Sequence, residues 1–402
     1  MNIRIFPSVA KGEINAPASK SVAHRLLIAA ALSDGESVIE NIGTNEDIKA
    51  TIACLNSLGA DINLDGSTAY VKGINLNKRQ RSISLFCNES GSTLRFLIPV
   101  AMCFYDNALF TGSERLLNRP QTVYEELFPE KGCYIKKEIN SLKTGGELKS
   151  GIFKIRGDVS SQFITGLLFA LPILEGDSEI ILTTPLQSAP YIDITVDVLS
   201  KFSVNVEKTD KGFYIKGNQN YISRNISCEG DWSNGAFLDA FNLLGGSVKV
   251  NNLSPESCQG DKIYKELFFS SETQPSELDI SDCPDLGPIL IASSVIKNGA
   301  LIKGTDRLKI KESDRGEAMK EELRKLGVNI EIGDNYIRVP KCDLKSPTVN
   351  ICCHNDHRIA MSFAVLLSKT GGILENAECV NKSYPEFFED IRRLGIAYEI
   401  IN

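Results

Sequence analysis

Four arginines and a lysine stand where cations are least expected. Lys20 and Arg25 lie in ASKSVAHRLLIAAAL, Arg95 in NESGSTLRFLIPVA, Arg315 in KIKESDRGEAMKEEL and Arg358 in NDHRIAMSFAVLL, each in the opening turns of a segment that reads as a helix. The first turn of a helix carries partial positive charge and free N–H groups, so anions are favoured there and cations are not. One such cation alone reads as a solvated charge or an ordinary ion pair. Several at matching places point to a shared anion site, to which the helix starts add their own N–H groups. A ligand suited to it carries several negative charges. Within Asn88 to Arg95, Gly91 lets backbone N–H groups approach a ligand closely, and Ser92 and Thr93 can cap the helix or bind phosphate. Two carboxylates complete the set: Asp285 in DCPDLGPILIAS, and Glu312 between Lys311 and Arg315. Nearby cations would lower a carboxyl pKa and suit a base, whereas desolvation would raise it and suit an acid. The sequence leaves that choice open, beside the plainer readings of a helix cap for Asp285 and an ion pair for Glu312.

The elements that must position these groups repeat. Apolar helices begin at Ser19-Lys20, Ser92-Thr93, Ser160-Ser161, Asp231 to Asn234, Asp285 and Asn355-Asp356, mostly about 70 residues apart, with a shorter fourth interval. Between them lies a second, more charged helix, which closes on an apolar-Gly cap and runs into a strand: LNSLGADINL, LRKLGVNIEI and IRRLGIAYEI, with LFPEKGCYIK and LSKFSVNVEK as looser versions. Strand-like segments fill the rest, among them 37–40, 69–72, 179–182, 212–216, 247–250 and 336–339. Six such α/β units predict two domains of three, with the crossing near Cys228-Glu229-Gly230-Asp231.

The bulk numbers narrow the function. At 402 residues, 42% hydrophobic and 24% charged, the chain has material for about two globular domains. A net charge of −7 argues against nucleic acid as a partner. Eleven cysteines without a C-x-x-C, and only three histidines, favour scattered thiols in a reducing compartment over disulfides or zinc. No G-x-x-x-x-G-K-[ST] occurs and no G-x-G-x-x-G follows a strand, so nucleoside triphosphates and dinucleotides lose support. The N-terminus lacks the continuous apolar run of a signal peptide, and no apolar stretch is long enough to span a bilayer; a cytoplasmic protein is expected.

Taken in order, Lys20-Ser21 with Arg25, Glu89 to Arg95, Arg119-Pro120, Ser160-Ser161-Gln162, Ser188 with Pro190-Tyr191, Pro284-Asp285, Lys311 to Arg315, Asn355 to Arg358 and Lys382 resemble the 5-enolpyruvylshikimate-3-phosphate synthase family over nearly the whole chain. The resemblance implies an inside-out α/β barrel of two similar domains, each of three βαβαββ repeats. By that analogy residues 14–228 form the N-terminal domain, and 1–13 with 229–402 the C-terminal one. It implies transfer of the enolpyruvyl group of phosphoenolpyruvate to the 5-hydroxyl of shikimate 3-phosphate by addition and elimination, with no metal or organic cofactor, in a monomer that glyphosate should bind. Shikimate 3-phosphate would be held by Lys20, Ser21, Arg25, Ser160, Ser161, Gln162, Ser188 and Tyr191, with Asp285 and Lys311. Phosphoenolpyruvate would be held by Lys20, Gly91, Arg95, Arg119, Gln162, Arg315, Arg358 and Lys382. Asp285 would take the hydroxyl proton, and Glu312 with Lys20 would move the proton at the methylene carbon; His357 would orient Glu312 or cap its helix. The chain departs from the family pattern at Glu89-Ser90-Gly91-Ser92, where Asn-Ala-Gly-Thr is common, and at Arg307, where an asparagine is common.

Two other readings stand beside this one. A related enolpyruvyl transferase acting on UDP-N-acetylglucosamine shares the architecture but differs at the acceptor, and none of the eleven cysteines lies in the glycine-rich loop expected of it. A non-catalytic anion-binding relative would have little use for Asp285 and Glu312 facing an anion.

Overall fold

The computed structural model describes residues 1–74, 79–269 and 275–401. It divides into two compact units, one of residues 18–229 and the other of residues 1–17 with 230–402.

The six anticipated apolar helices are present, and all lie inside. They are α1 (Lys20–Leu32) and the helices Gly91–Phe104, Ser161–Ala170, Trp232–Asp239, Gly287–Ile296 and His357–Thr370. In α1 every residue from Val22 to Leu32 is buried, and a helix that is apolar on all sides belongs in a core rather than on a surface. The strands, by contrast, alternate buried and exposed residues, as in Glu36–Glu40 and Thr68–Lys72. Such alternation turns one face of a sheet to the helices and the other to water. Helices inside and sheets outside is the arrangement the resemblance implied.

Five of the sheets among the described residues share one topology. A parallel pair is extended by two antiparallel strands, as in Gln80–Phe86, Tyr105–Thr111, Ser141–Gly145 and Tyr134–Glu138. The fourth repeat, shorter in sequence, supplies only the parallel pair Lys11–Asn15 with Ser247–Asn251. The second helices of the repeats end as their sequences require. Gly59, Gly132, Gly327 and Gly395 hold the left-handed turn after the helix, and in the loosest copy Ser203 takes the same conformation at φ 64.

The unit boundary differs from the expected one by a few residues. A cut after residue 13 would split strand Lys11–Asn15, all five residues of which pair in register with Ser247–Asn251, so residues 14–17 go with the C-terminal unit. The reciprocal strand Asn225–Ser227 pairs with Glu36–Glu40 and keeps residues up to Glu229 with the N-terminal unit. Each unit has its own apolar core. Among the described residues no helix is long and apolar enough to cross a membrane.

Candidate active site

In the unit of residues 18–229 the functional side chains hang on helix starts. Ser19 caps α1 by accepting from the Val22 N–H, and leaves Lys20 as the first helical residue with no acid in its own first turn. The acid comes instead from α2 (Glu46–Leu58), whose Asp47 lies 2.9 Å from the Lys20 ammonium. One turn further along α1, Arg25 is almost wholly buried. Its guanidinium donates to Thr195 Oγ1 at 2.8 Å and to the carbonyls of Ser21 and Tyr191 at 2.6 and 2.9 Å, and lies over the Phe96 ring. Among the described residues no carboxylate neutralises it, and burial holds it down at about 9, opposed in part by Tyr191. A cation kept dry without a counter-ion favours an anionic ligand.

Gly91 opens the helix here named α3 (Gly91–Phe104), capped by Ser90. A Cβ at Gly91 would stand 2.8 Å from the Arg119 guanidinium and 3.5 Å from Gln162 Oε1, so glycine is what lets these groups close over the helix start. Arg95 donates to Gln162 Oε1 at 2.8 Å and to the Pro120 carbonyl at 2.9 Å, above the Phe163 ring. Gln162 in turn donates to Ser92 at 3.1 Å, and its N–H meets Ser160 Oγ. Gly91, Ser92, Arg95, Arg119 and Gln162 are therefore one cluster. Ser160 caps the helix opened by Ser161, and Ser188 stands in the left-handed conformation before the helix that carries Tyr191.

In the other unit the centre is Asp285. It sits on the 3-10 turn Pro284–Leu286 and does not cap the following helix, whose N-cap is Leu286. Its carboxylate meets Lys311 at 3.1 Å, Arg315 at 2.9 Å and Arg358 at 3.0 Å. Burial pushes this carboxyl up, but Arg358, Lys311 and Arg315 together hold it well below the usual range. Arg315 also meets Glu312 at 2.8 Å and, through Nε, Asp356 at 2.9 Å; against the cost of burial, Asp356, Glu312 and Asp285 push its pKa up. Arg358 reaches Ser233 and the Asp285 carbonyl, and Lys382 donates to the Asn355 carbonyl at 2.7 Å. His357 opens its helix, with Nδ1 4.0 Å from Asp356.

Asp47 and Asp356 were not anticipated. Asp47 lies in the acidic first turn of α2, and Asp356 caps its helix by accepting from the Arg358 N–H at 2.9 Å, so each already has an ordinary local explanation. Their pairings with Lys20 and Arg315 span 27 and 41 residues of sequence and leave no local signal. Glu321, Glu322 and His354 bring possible metal-ligand atoms together, but the Lys325 ammonium already lies 3.0 and 2.8 Å from the two Glu322 oxygens.

The sequence profile of EPSP synthase (3-phosphoshikimate 1-carboxyvinyltransferase) matches residues 7–391. A 3-phosphoshikimate 1-carboxyvinyltransferase of Clostridium novyi is 43% identical over 426 aligned residues, covering 98% of this chain and 97% of the relative. The chain belongs to the EPSP synthase family. A second relative of the same name, from Clostridium kluyveri, is 43% identical over 98% of this chain and 97% of its own length. The solved EPSP synthase of Acinetobacter baumannii matches at a TM-score of 0.77 and 22% identity, with all of both chains covered. That likeness establishes the enolpyruvyl transferase fold of two α/β domains.

Proposed function

We propose that this member of the EPSP synthase family transfers the enolpyruvyl group of phosphoenolpyruvate to the 5-hydroxyl of shikimate 3-phosphate, releasing phosphate, as a cytoplasmic monomer. Membership of the family supports the reaction. The observation that carries the residue roles is the cluster in which Lys311, Arg315 and Arg358 surround one carboxylate, Asp285, with Glu312 on the same Arg315. Shikimate 3-phosphate is assigned to Lys20, Ser21, Arg25, Ser160, Ser161, Gln162, Ser188 and Tyr191, with Asp285 and Lys311. Phosphoenolpyruvate is assigned to Lys20, Gly91, Arg95, Arg119, Gln162, Arg315, Arg358 and Lys382. Two polyanions repel, and this many cations offset that repulsion at reacting distance.

Without ligand, Asp285 is a poor base, because three cations hold it ionised. An incoming phosphoenolpyruvate anion competes for Arg315 and Arg358. As they turn to it, the pull on Asp285 weakens and its basicity rises where the hydroxyl proton arrives. The same exchange loosens Glu312 from Arg315. Glu312, having taken a proton from water as it leaves Arg315, or the Lys20 ammonium in its place, then gives a proton to the methylene carbon while the 5-hydroxyl oxygen bonds to the neighbouring carbon and Asp285 takes the hydroxyl proton. In the second step Glu312, with Lys20, takes a proton back from the new methyl group, the carbon–carbon double bond reforms, and the C–O bond to phosphate breaks. Arginine and lysine stabilise the charge on the departing phosphate.

Phosphate release is the test, with phosphoenolpyruvate as donor and either shikimate 3-phosphate or UDP-N-acetylglucosamine as acceptor. Release is expected with the first alone, and Asp285→Ala and Glu312→Ala should each slow it about 10²–10⁴-fold. Turnover only with the nucleotide sugar would overturn the proposal, and binding without any wild-type turnover would point to a non-catalytic relative.

A further inference from the structure

Lys20, Asp47, Gly91 and Arg95 stand on three helices, α1, α2 and α3, and one run of buried side chains ties the three together. His24 Nδ1 lies 2.7 Å from Thr51 Oγ1, Thr51 Oγ1 lies 2.7 Å from Thr93 Oγ1, and Thr93 Oγ1 lies 2.7 Å from Ser90 Oγ. Ser90 Oγ also accepts from the Thr93 N–H, capping α3. His24 is 1% exposed and the other three 0%. None of the four has a part in the proton transfers above.

Each hydroxyl has one hydrogen to donate, and the Thr93 hydroxyl gives its own to Ser90 Oγ, so Thr51 must donate to Thr93 and His24 to Thr51. If the run started at Ser90, His24 Nδ1 would be an acceptor and the buried Nε2 would carry the hydrogen. Nε2 has no hydrogen-bond partner among the described residues, and a stranded donor costs about 1–3 kcal/mol. With the run starting at His24, Nδ1–H donates and Nε2 is a bare lone pair that strands no hydrogen. The imidazole must then be neutral, and burial, with Lys20 and Arg25 nearby, holds its pKa well below the usual value.

We infer that His24 in its Nδ1–H form is a positioning residue for phosphoenolpyruvate: it heads a one-way relay through Thr51 and Thr93 that fixes the start of α3, and with it Gly91 and Arg95, against α1 and α2. The inference rests on the assignment of Gly91 and Arg95 to phosphoenolpyruvate. Shikimate 3-phosphate draws no residue directly from α2 or α3 and meets them only through Lys20, paired with Asp47, and Gln162, bonded to Arg95 and Ser92, so a fault in the relay should weigh more on phosphoenolpyruvate than on shikimate 3-phosphate.

Thr51→Val keeps the shape of the side chain and breaks the relay in its middle. The Michaelis constant for phosphoenolpyruvate should rise about tenfold, with that for shikimate 3-phosphate changed less than about twofold. His24→Asn, whose amide N–H can replace Nδ1–H, should behave as wild type, and His24→Leu as Thr51→Val. In nitrogen-15 spectra of the wild type, where three histidines contribute, the resonances lost in His24→Asn should carry the Nδ1–H signature and should shift in Thr51→Val. Equal changes in both Michaelis constants would overturn the inference. So would an Nε2–H signature, or His24→Asn failing as His24→Leu does. Should His24→Leu not fold, Thr51→Val and the spectra decide alone. Wild type that releases no phosphate would refute the proposed reaction, and the spectra would still judge the direction of the relay.

Discussion

Asp285 stabilises the folded chain in its ionised form. Lys311, Arg315 and Arg358 pull its folded pKa well below the ordinary carboxylate value, so the unfolded chain binds its proton more readily than the folded one. The sign follows: this contribution is complete above the unfolded value of about 3.9 and is lost as pH falls through the lower folded value. The melting-temperature gap between wild type and Asp285→Asn should therefore be widest above about pH 4 and close at lower pH; a gap that stays constant from pH 7 to pH 3 would contradict the ion pairing described. At this scale the sequence displayed the cations clearly, because Lys20, Arg95, Arg315 and Arg358 break a helix rule. It concealed Asp47 and Asp356, because an acid at a helix start obeys one. His24, Thr51 and Thr93 were hidden for a further reason: a hydroxyl inside a helix looks the same in sequence whether it faces another hydroxyl or its own backbone.

Helix α3 shows what an element needs in order to present Arg95. Pro99 lies inside it and has no N–H, so the Arg95 carbonyl lacks its usual helical donor. The Tyr124 hydroxyl, fully buried, stands in, 3.0 Å from the Arg95 carbonyl and 2.9 Å from that of Phe163 on the adjoining helix. Gly166 makes room, since a Cβ there would stand 2.5 Å from both the Arg95 carbonyl and the Tyr124 hydroxyl. Tyr124→Phe should cost about 1–3 kcal/mol in denaturant unfolding, because it leaves the buried Arg95 carbonyl without a donor; an unchanged midpoint would mean that water or another donor replaces the hydroxyl. Element positions were well marked in the sequence by caps and apolar runs. The pairing of Lys11–Asn15 with Ser247–Asn251 and of Asn225–Ser227 with Glu36–Glu40 was not, since strand partners are chosen by long-range packing and not by the strand's own residues.

Two separate cores imply two separable folding units. Residues 18–229 are continuous in sequence, contain three complete four-stranded sheets and carry eight of the residues assigned to shikimate 3-phosphate. Made alone, this segment should unfold cooperatively on heating, and millimolar shikimate 3-phosphate should raise its melting temperature. Failure of the ligand to shift a well-folded segment would remove that assignment. The sixfold rhythm of helices, marked by three close and two looser copies of one cap, made the doubling of the molecule readable from sequence; the boundary at 17 and 18 was not, because it depends on which sheet a short strand joins.

The other unit is discontinuous, and that has a price in time. Strand Asn2–Ile5 leaves the ribosome long before Gly372–Glu375 and Tyr398–Ile401, between which it lies. At about 5–20 residues per second, its partners are synthesised about 20–80 s later. Throughout that interval Ile3 and Ile5, buried in the finished fold, trail from the nascent chain with no sheet to enter, within reach of any chaperone that grips short apolar segments.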